Sequence, residues 1–204
     1  MKRFLLIVIV ALAAFAVYWF AFKPKHKTDD GEKMTPLSVK KHSESFNRAV
    51  ADMMTAYISM KDAFIEDDTS SVKQHARSFI GLLDSIPLDE LKKDTTLIYE
   101  TAKSNVNDIK SNAQSILAQT DITEMRHDFN MVTDMMYPSF FKTINYEGPN
   151  IYLINCPMAF GEDRPANWIS NSSEVINPYM GKHQPAGKEN MLHCGSVKDS
   201  IKTN

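Results

Sequence analysis

Four stretches of the chain repeat apolar residues at steps of three and four, the spacing of one helix face. The first, over 37–66, carries Phe46, Val50, Met53, Met54, Tyr57, Met60 and Phe64. Thr69-Ser70-Ser71 offers an N-cap for a second stretch through Val72, Ala76, Phe79, Ile80, Leu83 and Ile86. Ile86-Pro87-Leu88-Asp89 breaks it, because proline lacks a backbone donor and crowds the preceding turn. The third, over 90–119, carries Leu97, Ile98, Ala102, Val106, Ile109, Ala113, Ile116 and Leu117. Asp121 caps the fourth, which runs through Ile122, Met125, Phe129, Val132, Met136 and Phe140, and Pro138 should kink or shorten it. Short connections join antiparallel neighbours, so the pattern predicts a mainly α fold, an up-down four-helix bundle over 37–145.

The pattern changes at both ends. From Tyr146 onward Pro, Gly and Asn are dense, and Gly148-Pro149 is a turn before the strand-like Asn150-Ile151-Tyr152-Leu153-Ile154-Asn155. Residues 146–204 therefore read as a loop-rich C-terminal segment with short β-strands, packed on the bundle. At the other end Met1-Lys2-Arg3 precedes 19 uncharged residues, Phe4 to Phe22. At about 1.5 Å per residue that run nearly crosses a hydrocarbon core of roughly 30 Å. It reads either as an uncleaved membrane anchor or as a signal peptide cut after Ala14-Phe15-Ala16. Both readings export the rest. Residues 23–36, polar and of mixed charge with Pro24 and Gly31, read as a linker.

Composition narrows the function. A net charge of −2 gives no overall drive toward nucleic acid. Seven glycines include no phosphate-loop or dinucleotide fingerprint. The 12 methionines are a high share. Those at 53, 54, 125, 131, 135 and 136 fall near the apolar stripes and read as packing rather than as thioether ligands. His75 and His127 read as solvated, and Asp62, Glu66, Asp67 and Asp68 as a hydrated helix end. One Glu-x-x-His string, Glu124 to His127, lacks the second copy that a di-iron bundle needs.

The candidate chemistry lies in the tail, which holds both cysteines. Cys156 and Met158 are two apart, so an extended backbone turns both sulfurs to one face. Met191, His193 and Cys194 form a second cluster, with Met180 and His183 as auxiliaries. Thiolate and thioether are soft donors that favour Cu(I). One reading is thus a copper site on Cys156, Met158, Met191, His193 and Cys194. The other is a 156–194 disulfide, the usual fate of two exported cysteines, contributing roughly 2–4 kcal/mol. An enzyme with Cys156 as nucleophile and His193 as base lacks an orienting third residue and an oxyanion motif, so the chain reads as a binding protein.

Four strings of the tail resemble the domain of unknown function 3347 family. They are Cys156-Pro157-Met158-Ala159, Trp168-Ile169-Ser170, Glu174-Val175-Ile176-Asn177-Pro178-Tyr179, and Met191-Leu192-His193-Cys194-Gly195-Ser196-Val197. In the helical part, Tyr57-Ile58-Ser59-Met60-Lys61-Asp62-Ala63 and Arg126-His127-Asp128-Phe129 are similar to it too. The resemblance covers roughly 45–200. It departs at Met180, where an aromatic is common, and at Lys182 to Asn190, a longer excursion. The resemblance implies an exported bacterial protein of the periplasm or cell envelope. Its partner would be the adaptor of a heavy-metal efflux pump, or another envelope protein.

Overall fold

The computed structural model describes residues 41–183 and 189–202. The apolar run 4–22 and the linker 23–36 lie outside the described residues. No helix among the described residues is long and apolar enough to cross a membrane. Four helices form the body: α1 (Glu44–Ile65), α2 (Thr69–Asp84), α3 (Thr96–Ala118) and α4 (Ile122–Met135). Each starts on a side-chain cap that accepts from its first free N–H groups: Ser43, Asp68, Thr95 and Asp121. Such caps contribute about 1 kcal/mol each.

The first helix, expected from 37, starts at Glu44 after its Ser43 cap, and the later boundaries also bear on the periodic reading. The α2 cap is Asp68, just ahead of the expected Thr69-Ser70-Ser71, because its carboxylate reaches the N–H groups of both Ser70 and Ser71 at 3.0 Å. Helix α3 begins at Thr96 rather than 90. Leu88–Lys93 instead forms a separate 3-10 helix after Pro87, pinned by the buried Leu91, and the extended Thr95 (φ −152°) resets the chain. Leu97, expected in the core, is therefore 69% exposed on the first turn of α3. Helix α4 stops at Met135, as Pro138 required, since Tyr137 before the proline is forced to φ −116°, ψ 127°. Among the bundle methionines, Met53, Met54, Met125 and Met136 are buried, whereas Met131 is 43% exposed.

The segment after the bundle is a three-stranded antiparallel sheet in the order β2-β1-β3, from β1 (Ile151–Cys156), β2 (Ala166–Ser170) and β3 (Ser196–Ile201). Helices pack in chain order, α1 on α2, α2 on α3 and α3 on α4. Strand β2 lies against both α4 and α1, so the sheet covers the seam where the bundle would otherwise close.

Tyr57 joins the three elements at that seam. Its fully buried ring stacks on Phe129 of α4 at 5.0 Å and 23°. Its hydroxyl accepts from Ile169 N–H of β2 at 3.1 Å and lies 2.6 Å from Thr133 Oγ1, which donates to Phe129 O at 3.1 Å. Because Thr133 spends its proton on a carbonyl, Tyr57 must donate to Thr133. Every side-chain polar group of this hydrogen-bond relay is then satisfied. Burial pushes the Tyr57 phenol far above its ordinary value, so the donor proton stays in place. One residue further along, Asn167 N–H of β2 donates to Asn130 Oδ1 at 2.9 Å. The outer edge of β2 is thus capped by side chains from two helices, which blunts an aggregation-prone edge.

Tyr57→Phe keeps the ring but strips the buried Ile169 N–H of its acceptor. The loss should be about 1–3 kcal/mol, read as a lower urea midpoint at unchanged slope. A midpoint equal to wild type would show that the phenol is dispensable.

Candidate functional site

The pocket of interest lies at the end of the bundle where α1 ends and α4 begins. It is about 580 Å³ in volume. One wall is the first turns of α4, with Thr123, Arg126 and His127. The β1–β2 loop supplies Met158 and Phe160, the loop after β2 supplies Tyr179 and Met180, and a short 3-10 helix, Glu189–His193, supplies Met191.

Three devices hold these loops. The first is a disulfide, Cys156 to Cys194, with Cα atoms 5.6 Å apart. It ties the end of β1 to the chain just after Met191. In the chain-entropy view a loop of 38 residues makes such a bond worth about 4 kcal/mol. The second is Asn177, fully buried. Its amide donates to Cys194 O at 2.9 Å and its backbone N–H to Leu192 O at 2.8 Å. Its Oδ1 meanwhile accepts from Tyr179 N–H at 2.8 Å. This one side chain links the segment bearing Met180 to the segment bearing Met191.

The third device is a part-buried ion pair. Arg126 donates to Asp67 Oδ1 at 2.6 Å, to Phe64 O at 2.9 Å and to Pro178 O at 2.8 Å. The other oxygen of Asp67 accepts from His183 N–H at 3.1 Å. Burial pushes the Asp67 carboxyl up, but the bonds from Arg126 and His183 outweigh it and hold the group below its ordinary value. Gly181 (φ +65°) packs onto this pair, and a Cβ there would stand 2.3 Å from Asp67 Oδ1, so only glycine lets the loop approach. Asp67, expected as part of a hydrated helix end, is instead the anchor of the loop.

The tail residues singled out from sequence separate into three places. Cys156 and Cys194 are bonded to one another, so in this form neither is a thiolate ligand. His193 is exposed and outside the pocket, its Nδ1 donating to Val175 O at 2.9 Å. Met158 and Met191 line one pocket, together with the auxiliary Met180. His183, the other auxiliary, is spent on Asp67. His127 departs from its reading as a solvated residue. Its ring stacks on Phe160, centroids 3.8 Å apart and planes at 21°, and it faces the same pocket. A signal for it was present, since Arg126-His127 belongs to one of the family-like strings, but periodicity put it on a polar face. Among the described residues no group of three or more His, Cys, Asp or Glu side chains could hold a metal ion.

Residues 53–146 match the model of a family described as "protein of unknown function (DUF3347)", so over this stretch the chain is similar to that family. The match covers the helices rather than the C-terminal strings through which the resemblance is strongest to the eye. No curated protein and no solved structure matches the chain.

Two measurements test these devices. A thiol count on the denatured, unreduced chain should find both cysteines unreactive, and reduction should lower the melting temperature; two free thiols would show that the staple does not form. The Asp67 carboxyl is held low in the fold, so its contribution is fully present above the unfolded value, about 4. It is lost as pH falls through the folded value. Asp67→Asn should therefore be less stable than wild type at neutral pH, and the gap should close below about pH 4. A gap independent of pH would mean that the charge does not matter.

Proposed function

We propose that this chain is an extracytoplasmic binding protein for a soft metal ion, copper foremost, that works in heavy-metal efflux or homeostasis. The apolar N-terminal run supports export, and the resemblance of the tail supports the metal connection. The observation that carries the reading is that Met158 and Met191, remote in sequence, line one pocket. Thioethers are neutral, soft donors that discriminate against the hard cations abundant outside the cytoplasm.

The disulfide favours a second reading, a stapled domain that presents a surface to an efflux adaptor or another envelope protein. Its staple would serve stability alone. Both readings take the chain as a binding protein and not an enzyme.

Metal titration separates them. The full chain, held in a mild non-ionic detergent and free of a chelating tag, should bind about one Cu(I) in competition with a chromogenic chelator. Absence of binding both before and after reduction would end the metal reading and leave the interaction domain.

A further inference from the structure

Of the donor set expected from sequence, the cysteines are bonded to each other and His193 lies outside the pocket, while Met158 and Met191 line it. Four donors line one cavity: Met158, Met180, Met191 and His127. They come from four separate segments, so their convergence is a tertiary fact and owes nothing to a local repeat. Three are thioethers. The fourth is an imidazole whose ring nitrogens take no hydrogen bond among the described residues, although its face is fixed by Phe160. An oriented histidine beside sulfur donors has the composition of a soft-metal site.

The rim charges bear on the valence of the ion. The Arg126 guanidinium is balanced by Asp67. Arg164 and Glu162 also line the cavity and offset one another formally. With neutral donors and a formally balanced rim, nothing offsets the desolvation of a divalent cation. A monovalent d10 ion loses less hydration and gains soft donors.

We propose that this cavity is a monovalent soft-metal site, for Cu(I) or Ag(I), with Met158, Met180, Met191 and His127 as its ligands. The Cys156–Cys194 disulfide is its frame and supplies no donor. The assignment rests on the soft-metal reading above and names the ligands of that site. It requires no redox step, because the donors are the same whether Ag(I) or Cu(I) is bound.

The test is titration of the full, oxidised chain in detergent with Ag(I), which needs no reductant and leaves the disulfide intact. Binding is read by competition and by the methyl resonances of methionines labelled with carbon-13. Wild type should bind one ion, with three methyl signals shifting and Zn(II) shifting none. Met158→Leu, Met180→Leu, Met191→Leu and His127→Ala should each weaken binding by about tenfold or more, as even outer-shell changes do at metal sites. Cys156→Ala with Cys194→Ala removes the frame but no donor, so it should still shift the same three methyls, at weaker affinity. Should a variant fail to fold, the wild-type spectrum still decides, because a site elsewhere leaves those three methyls unmoved. Binding that appears only on reduction, and vanishes in the cysteine variant, would overturn this site while leaving the soft-metal reading intact. No Ag(I) or Cu(I) binding in either redox state would remove both.

Discussion

The tertiary structure turns on one buried hydroxyl. The Tyr57 phenol accepts from the backbone of β2 and donates to Thr133 of α4, while its own backbone belongs to α1. A bundle of four amphipathic helices normally closes by packing its first helix on its last. Here the seam between α1 and α4 is bridged by the stack of Tyr57 on Phe129, and strand β2 lies over it. Once the phenol commits its donor and acceptor sites, the position of β2 along both helices is set. The rest of the sheet follows through its antiparallel register, Tyr152 opposite Ser170 through Cys156 opposite Ala166.

The loops at the far end inherit that position. The chain enters the described body beside Lys93 and Glu90, where Lys93 donates to Lys41 O at 3.0 Å. Burial opposes the Glu90 charge there, but bonds from Ser43 and Lys93 pull its carboxyl down to about 2. The pocket sits at the other end of α1, about 33 Å away along a helix of 22 residues. Asn177, the disulfide and the Asp67–Arg126 pair each bind two segments that the sheet alone leaves independent. Their combined effect is to face three methionine-bearing loops toward the start of α4. The aromatic backing of Phe160 and Tyr179, whose rings meet edge to face at 5.2 Å, gives that end a rigid floor. Burial keeps the Tyr179 phenol protonated, so it donates to Asn167 O.

Pairing the cysteines changes which chemistry the tail can offer. Two thiolates are soft donors, but in an oxidising environment they are lost to disulfide formation. Bonded to each other, they hold the backbone and leave thioethers as the soft donors, which need no deprotonation and resist the hard ions. The same local string, Cys156-Pro157-Met158, therefore places a covalent staple at the end of β1 and a thioether two residues later at the pocket wall.

How much was legible in the chain follows from the range of the forces involved. Helix positions and most of the core were readable, because a face that buries Phe46, Val50, Met53, Tyr57, Met60 and Phe64 repeats every three or four residues whatever it packs against. Asp121 and Pro138 marked the ends of α4 for equally local reasons. The start of α3 was misplaced because the 3-10 turn at Leu88–Lys93 depends on burial of Leu91 against the bundle. In the tail, sequence alone determined the kinds of donor present and left the two cysteines between metal and disulfide. Only the tertiary structure paired them, sent His193 to a backbone carbonyl, and brought His127 and Met180 to Met158 and Met191. Periodicity reports which side of an element is buried. It carries no information about which remote loops share a cavity, because that is set by contacts between segments far apart along the chain.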